Sequence, residues 1–409
     1  MLRLCTERPL IVAGVMSGTS ADGINVALVE ISGAGFDTRF QLVAHHEYPY
    51  PQPVRRVVLA AMNARRASVA DLARLNFLLG ELYGSAVRDT VKKLGRQVEL
   101  VGCHGQTLYH QGEAGPYLGK RIAATWQTGE GAIIAARVGA PVVSDFRPAD
   151  IAAGGKGAPL VPFFDYLVYR DARVGRIVQN LGGIANLTAI PAGASPEDVV
   201  AFDTGPGNMV VDAVMQRLCG RPFDHDGRIA AKGQPLEAVL KVLLQHSFFR
   251  RKPPKTAGRE EFGREFVADF LRCCGRARKE NVVATATALT ARSIGEAAKR
   301  FVLSPSGAKA RIKGSIGMAK AMPLHLYSEY VISGGGAKNR TLVNMLRAQL
   351  EPLGLKLRSS DEFSVPSAAK EAVAFALLAY ETWHRRPANV PAATGARRPA
   401  ILGKISYVS

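Results

Sequence analysis

The chain has 409 residues, a length that suits two domains of roughly 150 to 200 residues each. Hydrophobic residues make up 47% of it and charged residues 21%, which is typical of a folded globular protein and excludes a disordered chain. No apolar run reaches the roughly 18 residues of a membrane span, and the start MLRLCTERPLIVAGV does not match a signal peptide. Five cysteines without paired spacing favour a reducing compartment. We therefore predict a cytoplasmic protein that does not insert into membranes.

The formal net charge of +19 raises the possibility of nucleic-acid binding, because a basic surface attracts phosphate without any sequence-specific contact. The denser basic stretches are FFRRKPPK, RCCGRARKE, KARIKGSIGMAK and WHRRP. None of them is interleaved with the aromatic residues that stack on bases. The composition therefore favours small anionic substrates over nucleic acid as partners.

The first element is a glycine-rich turn, GVMSGTSADGIN, between the β-rich runs LIVAGV and VALVEI. This pattern predicts a strand-to-strand hairpin. The phosphate loops GxGxxG and GxxxxGK[ST] instead lead from a strand into a helix, and neither motif occurs here. Amides and hydroxyls in a tight turn can still bind an anion. From the turn alone, a phosphate site and a simple hairpin both remain open.

The next segments alternate between helix and strand. The helical patterns VRRVVLAAMNARRA and SVADLARLNFLLGELYGSAVRDTVKKLG come first, the second with Ser68 as N-cap. VELVGCHGQTLYH then predicts a buried strand that ends in a polar turn, and TWQTGEGAIIAARVGAPVVSDF a loop, a helix and a strand. This alternation predicts an α/β lobe. Residues 147–169, rich in proline and glycine, predict a crossing between lobes.

The second half begins with the same architecture as the first. RIVQNLGGIANLTAI predicts another glycine-turn hairpin, and DVVAFDTGPGNMVVDAVMQRLCG predicts a strand, a turn and a helix. Further helices are followed by a Gly, Lys and Ala-rich loop over 304–324. SEYVISGGGAKNRTLVNMLRAQLEPLG then predicts strand, turn and helix, and a last helix precedes a polar tail. The two hairpins resemble each other in pattern rather than in sequence.

The glycine turns together indicate a ligand held in a cleft between two domains. Amides and hydroxyls at Ser17, Gly18, Thr19 and Ser20 suit one phosphate group, and Asn180, Gly182 and Gly183 suit another. The SGGG turn, with Gly334, Gly335 and Gly336, either lets a purine or ribose approach the backbone or makes a tight connection.

Carboxylates at strand ends are the candidates for the chemistry, because such positions converge on a cleft in α/β lobes. Asp22, Asp145, Asp150 and Asp203 occupy these positions. Asp203 lies between a buried strand and a glycine turn, which favours a general base, with helix capping or an Asx turn as the alternative. Asp22 is a candidate to bind Mg²⁺ through water, or is a turn residue. His104, in CHGQT, is a ligand or a core histidine.

The chain resembles the anhydro-N-acetylmuramic acid kinases of bacteria, in the superfamily of sugar kinases, actin and heat-shock ATPases. The similarity runs from about residue 11 to residue 403 and rests on segments that occur in this order: GVMSGTSADG, CHGQT, SDFRPADIAAGGKGAPLVP, NLGGIANLT, FDTGPGN, DGRIAAKG, PPKTAGREEFG, TATALTARSI, SGGGAKN and AATGARR. The resemblance implies an α/β protein of two ribonuclease-H-like lobes around a central nucleotide cleft, with ATP and Mg²⁺ as cofactors and a homodimeric assembly. The boundaries we predict are 1–165 plus about 366–409 for the first lobe and 170–365 for the second.

The resemblance also implies roles for particular residues. It implies that Asp203 is the catalytic base and that Thr107 and Glu371 contact the sugar. It implies that the ATP phosphates are bound by Gly18, Thr19, Ser20, Ala21, Asp22, Gly23, Ile24 and Asn25, and that the turn with Gly334, Gly335 and Gly336 lies at the adenosine. With Asn180, Gly182 and Gly183, whose amides suit a phosphate, these are the predicted ATP-binding residues. The implied reaction converts 1,6-anhydro-N-acetylmuramic acid, water and ATP to N-acetylmuramic acid 6-phosphate and ADP, a step of peptidoglycan recycling.

Two departures from the family pattern bear on specificity. Ala21 and Asn25 stand where many members have Leu and Asp, and FRPAD keeps only Arg147 of an arginine run. A kinase of another anhydro-sugar such as levoglucosan therefore remains an alternative. So does an actin-type nucleotide switch, which would hydrolyse ATP without any sugar.

Overall fold

The fold alternates strands and helices along the chain, and the computed structural model describes residues 8–18, 20–304 and 326–408. The strands are β1 (Leu10–Ser17), β2 (Gly23–Ser32), β3 (Arg39–Pro49), β4 (Leu100–Tyr117), β5 (Lys120–Thr128), β6 (Val142–Ser144), β7 (Arg176–Leu181), β8 (Ala185–Ile190), β9 (Val200–Gly205), β10 (Glu329–Ser333), β11 (Lys356–Ser359) and β12 (Lys404–Ser406). The α-helices are α1 (Gln52–Ala61), α2 (Val69–Leu94), α3 (Gly131–Val138), α4 (Phe146–Ala152), α5 (Pro162–Tyr169), α6 (Met209–Cys219), α7 (Glu237–Leu243), α8 (Ser247–Arg250), α9 (Arg259–Phe262), α10 (Arg264–Cys274), α11 (Lys279–Ala297), α12 (Arg340–Leu350), α13 (Lys370–Trp383) and α14 (Pro391–Thr394).

The chain forms two compact units, one made of the residues up to Val168 and from Ser364 onward, the other of Tyr169–Phe363. In the first unit the sheet has the order β12-β6-β4-β1-β2-β3, and β5 pairs with β4. Strands β1, β2 and β3 pair antiparallel, whereas β4 runs parallel to β1 and β6 parallel to β4. An antiparallel meander thus continues into parallel strands on its β1 side.

The second unit repeats this topology. Its sheet has the order β11-β10-β7-β8-β9, with β7, β8 and β9 antiparallel and with β10 parallel to both β7 and β11. Three antiparallel strands followed by two parallel ones are the arrangement of a ribonuclease-H-like lobe. The predicted fold class, an α/β protein of two such lobes, is confirmed.

Local sequence explains the helices that support the first sheet. The side chain of Ser68 accepts a hydrogen bond from the Asp71 amide at the start of α2, and Gly95 ends the helix in a left-handed conformation. Helix α13 lies on the sheet, and its residues 372–380 are buried. It can approach closely because β1 and β4 present glycines to it, Gly14 and Gly102. This contact brings the start of α13 beside the β1–β2 hairpin.

The second unit is built around α11, which is buried along nearly its whole length. Threonine hydroxyls inside the helix donate to main-chain oxygens, as Thr287 does to Val283 O at 3.0 Å. Thr290 instead reaches the turn after β9 and donates to Gly207 O at 2.6 Å. Because a buried hydroxyl needs a partner, this bond fixes the turn on the core helix.

One expectation from the sequence was wrong in detail, and two further segments contain more secondary structure than the sequence indicates. The segment TWQT belongs to strand β5 rather than to a loop, because β4 continues past the predicted polar turn and pairs with β5. The C-terminal tail contains α14 and β12, and β12 pairs with the edge strand β6. The segment 147–169 contains α4 and α5. Of the helices that the structure describes, none combines the length and apolar character of a membrane span.

Candidate active site

The β1–β2 hairpin is the strand-to-strand turn that the sequence predicts, with Met16 opposite Asn25. Its tip is closed by a hydrogen bond from the Ala21 amide to Gly18 O at 3.1 Å. Ala21 is fully buried with a φ of +50°, a conformation in which a larger side chain is strained. Thr19 falls outside the described residues.

Gln106 is a site residue that the sequence analysis missed. It is fully buried, pairs in register with Ser17, and its Nε2 donates to Gly18 O at 3.2 Å. The Ser17 hydroxyl lies 2.8 Å from Gln106 Oε1 and 2.9 Å from Gly23 O. Gln106 therefore holds the start of the turn, and the Ser17 hydroxyl lies between Gln106 and the end of the turn at Gly23.

We expect Gln106→Leu to loosen the hairpin without removing any group that contacts a ligand. Two hydrogen bonds of about 1 kcal/mol each would be lost, so the KM for ATP should rise by about tenfold or more, with kcat changed less. Steady-state kinetics at several ATP concentrations measure this change. An unchanged KM would show that the turn keeps its shape without Gln106.

A cavity of about 490 Å³ opens beside the hairpin. Gly18, Ser20 and residues 22–25 line one side of it, residues 47–49 of β3 another, and Ala368 and Glu371 at the start of α13 a third. The structure thus brings Glu371 together with the hairpin, although the two lie far apart in sequence. Glu47 adds a further carboxylate that the sequence analysis did not identify. The described lining is mostly polar and carries three carboxylates, those of Asp22, Glu47 and Glu371.

Asp22 lies on the exposed side of the hairpin, and 72% of its side chain is accessible. Its Oδ1 accepts a hydrogen bond from Arg55 Nη2 at 3.2 Å. Within the described residues, no group of three or more His, Cys, Asp or Glu could hold a metal ion by itself. A single accessible carboxylate nevertheless fits Mg²⁺, which takes one or two carboxylates together with water and substrate oxygens.

Asn25 accepts a hydrogen bond from His45 Nε2 at 3.0 Å. Burial lowers the pKa of His45, and Glu47 counteracts this effect in part. A neutral amide therefore lies beside an imidazole whose neutral form is favoured.

Asn25→Asp should raise the pKa of His45, because a carboxylate about 3 Å from the ring favours its protonated form, by about one unit or more. An NMR titration of the histidine ring signals measures the shift, with the neighbouring His46 as internal reference. A His45 pKa that stays unchanged in the variant would contradict the contact with residue 25.

His104 and Arg147 form a buried pair in the first unit. The Nδ1–H of His104 donates to Gly105 O at 2.8 Å, which leaves Nε2 to accept from Arg147 Nη2 at 2.9 Å. Burial, and next the charge of Arg147, hold the pKa of His104 well below its usual value. Burial also lowers the pKa of Arg147 to about 10, with Glu371 and Asp150 acting in the opposite direction. His104 is therefore a neutral acceptor that fixes a charged arginine.

The predicted sugar residues Thr107 and Glu371 have different surroundings. Thr107 pairs with Gln127 of β5 and accepts a hydrogen bond from its Nε2 at 3.3 Å. Among the described residues that line the hairpin cavity, Glu371 is present and Thr107 is not. Burial raises the pKa of Glu371, and the charges of Lys370 and Arg147 oppose that effect.

The glycine turns of the second unit pack against one another. The main-chain N–H of Asn208 donates to Gly182 O at 2.9 Å, and its side-chain Nδ2 donates to Leu181 O at 3.0 Å. A Cβ on Gly334 would lie 2.5 Å from Asn180 Oδ1, and one on Gly336 would lie 2.8 Å from Leu181 Cβ. The structure therefore brings together the predicted nucleotide residues of this unit.

Two glycines of these turns face open space rather than protein. A Cβ on Gly183 would meet only Met209 Cε, at 4.0 Å, and one on Gly335 would meet nothing within 4 Å. Backbone without side chains around it lets a flat or charged ligand come close. These two positions suit the approach of a nucleotide.

Asp203 lies in β9, and its position is fixed from two directions. Its main-chain N–H donates to Lys255 O at 3.0 Å, and its Oδ2 accepts from the Ala257 amide at 2.7 Å. A carboxylate that is half-buried and hydrogen-bonded to rigid backbone has a defined orientation. This arrangement suits a general base, whereas a helix-capping role is not observed at the start of α6, where Asn208 is the N-cap residue.

Comparison with known proteins gives a family for the whole chain. The family model for anhydro-N-acetylmuramic acid kinase matches residues 10–310 and 317–408. An anhydro-N-acetylmuramic acid kinase of Bacillus cereus (strain AH187) is 41% identical over 97% of this chain and 99% of that protein. One of Caldanaerobacter subterraneus is also 41% identical, over 99% of both chains. Among solved structures, a ROK hexokinase from Thermus thermophilus is 14% identical with a TM-score of 0.36, over 92% of this chain and all of that one.

Two ribonuclease-H-like lobes, each with a glycine-rich hairpin, together with a full-length match to a kinase family, define an enzyme that transfers phosphoryl groups. The chain belongs to the anhydro-N-acetylmuramic acid kinase family.

Proposed function

We propose that the protein uses ATP and water to convert 1,6-anhydro-N-acetylmuramic acid to N-acetylmuramic acid 6-phosphate, with ADP as the second product. The match to the family over nearly the whole chain carries this proposal. The reaction belongs to peptidoglycan recycling. We further propose that the protein acts in the cytoplasm as a homodimer and that its ligands are these small molecules.

In the first unit, the hairpin binds phosphate oxygens through the amides and hydroxyls around Gly18 and Ser20. In the second unit, the turns around Asn180, Gly183 and Gly335 bind the nucleotide through backbone that carries little side-chain bulk. Asp22 is the residue that would hold Mg²⁺, through water, and its exposed carboxylate at the cavity supports this role. When bound, the metal neutralises charge on the transferring phosphate.

Asp203 acts as the base. It takes a proton from a water molecule whose oxygen forms a bond to the anomeric carbon of the sugar. The bond between that carbon and O6 breaks, and O6 forms a new bond to the γ-phosphorus as ADP leaves. The hydrogen bond from the Ala257 N–H to Oδ2 supports this role, because it orients the carboxylate.

In the first unit, Glu371 and Thr107 contact the sugar. The cavity lining supports this assignment for Glu371, which shares the cavity with the hairpin. Arg147 adds a positive charge held by His104 and by Gly157 O, to which its Nη1 donates at 2.8 Å. A fixed cation of this kind favours an anionic substrate, and the lactyl carboxylate of the proposed sugar supplies the anion.

The test supplies the protein with ATP, Mg²⁺ and either 1,6-anhydro-N-acetylmuramic acid or levoglucosan, and follows the sugar phosphate by mass spectrometry. We expect the 6-phosphate from the first sugar and much slower turnover of the second, which lacks the lactyl and N-acetyl groups. Preferred turnover of levoglucosan would contradict the substrate assignment. ADP formation that is independent of either sugar would favour a nucleotide switch.

A further inference from the structure

Lys255 is a buried cation close to the proposed base. Only 3% of the residue is exposed, and its ammonium lies over three aromatic rings, 4.5 Å from the centroid of Phe248, 4.8 Å from Phe301 and 5.9 Å from Phe202. Its Nζ donates to the main-chain oxygen of Phe248 at 3.1 Å. Aromatic faces and one carbonyl thus replace water around the charge.

The main chain around Lys255 is what holds Asp203. The carbonyl of Lys255 accepts the Asp203 N–H, and two residues later the Ala257 N–H donates to Asp203 Oδ2. Because the Lys255 side chain is anchored in the aromatic cage, the backbone on both sides of residue 256 has a fixed position. A shift of this segment would move the backbone and the carboxylate of Asp203 together.

The charges around Lys255 indicate that its ammonium group has an electrostatic role in addition to packing. Burial first, and then the charges of Arg251 and Arg300, lower its pKa to about 8, whereas Asp203 favours the charged form. Arg251 is itself paired with Glu261. A hydrophobic side chain would fill the same cage without the cost of burying a charge. The attraction between Lys255 and Asp203 is the interaction that such a side chain would not provide.

We propose that Lys255 is a positioning residue for Asp203: its caged side chain anchors the segment that binds both the main-chain N–H and the carboxylate of Asp203, and its positive charge attracts that carboxylate. The proposal rests on the proposed function, in which Asp203 is the base. The expected consequence is that Lys255 affects the chemical step rather than nucleotide binding.

The experiment compares wild type with Lys255→Met, Lys255→Arg and the matched control Lys252→Met, which replaces an exposed lysine three residues earlier. Assays use ATP, Mg²⁺ and 1,6-anhydro-N-acetylmuramic acid, with thermal melting and ATP binding measured on each variant. We expect kcat of Lys255→Met to fall by about 100-fold, the effect of a small misplacement of a catalytic group. Its KM for ATP should stay within about threefold of wild type, and Lys252→Met should match wild type.

The pH profile adds a readout that a merely structural role would not change. A lysine with a lowered pKa is charged below that pKa and neutral above it, so the kcat of wild type should decline above about pH 8. Arginine stays charged there. In Lys255→Arg the alkaline decline should therefore disappear or move to higher pH.

The outcomes separate this proposal from the proposed function. If wild type forms no sugar phosphate, the proposed function is wrong. If wild type is active and Lys255→Met keeps its kcat, or loses stability alone, Lys255 does not position Asp203. If Lys255→Met does not fold, the arginine variant decides: an alkaline limb that coincides with that of wild type overturns the proposal.

Discussion

Asp203→Asn should bind ATP with nearly wild-type affinity and form almost no sugar phosphate. The substitution keeps the size of the side chain, and the amide oxygen of asparagine can still accept the hydrogen bond from Ala257. It removes the negative charge and the ability to take a proton from water. Loss of a positioned general base costs about 100-fold to 10,000-fold in rate, so we expect kcat to fall by about 1000-fold.

The measurement is a single-turnover assay with excess enzyme, together with nucleotide binding followed by fluorescence. Asp269→Asn is the matched control, because Asp269 lies in the same unit but 60% of its side chain is exposed and it forms an ion pair with Arg272. The control should show wild-type rates. Turnover of Asp203→Asn within about tenfold of wild type would remove Asp203 from the role of base, since no other group should replace it so well.

Much of the fold follows from local sequence. The hydroxyl at Ser68 and the glycine at Gly95 determine where α2 begins and ends. The small residues of GVMSGTSADGIN determine that β1 turns into β2 rather than into a helix. These features depend on neighbours within a few residues, so their signals can be read from the chain alone.

Features that depend on distant partners could not be read in this way. Strand β12 has only three residues, and its pairing with β6 joins segments separated by some 260 positions. Gln106 becomes a site residue only because the parallel pairing of β1 with β4 places it beside Ser17. The lysine in PPKTAG shows no function until the structure brings its segment against β9. Tertiary contacts of this kind leave no periodic signal in sequence.

The family resemblance predicted site residues that neither hydrophobic pattern nor motif spacing indicated. Glu371 lies in an apolar helix and has no motif of its own, yet the structure places it in the wall of the hairpin cavity. The predicted basic loop over 304–324 falls, from residue 305 onward, outside the described residues. The contacts of Thr107 and Glu371 with a sugar remain predictions.

The close contact between α13 and the sheet should make Gly14 one of the positions least tolerant of a side chain. A Cβ on Gly14 would lie 1.8 Å from Ala372 O and 2.9 Å from Ala376 N. Both atoms belong to the backbone of α13, so no side-chain rotation can relieve the clash. Gly14→Ala should therefore push the helix away and lower the free energy of unfolding by about 3 kcal/mol, the upper part of the range for overpacked cores.

Because α13 also carries Glu371, the same substitution should lower kcat/KM for the sugar as the cavity wall moves. Urea unfolding followed by tryptophan fluorescence measures the stability of the first unit, because both tryptophans of the chain, Trp126 and Trp383, belong to it. Gly139→Ala is the control, since its φ is +77° but no atom lies within 4 Å of the added Cβ. It should cost only the roughly 1 kcal/mol of a left-handed alanine. Equal losses in the two variants would show that backbone conformation, rather than the contact with α13, requires glycine at position 14.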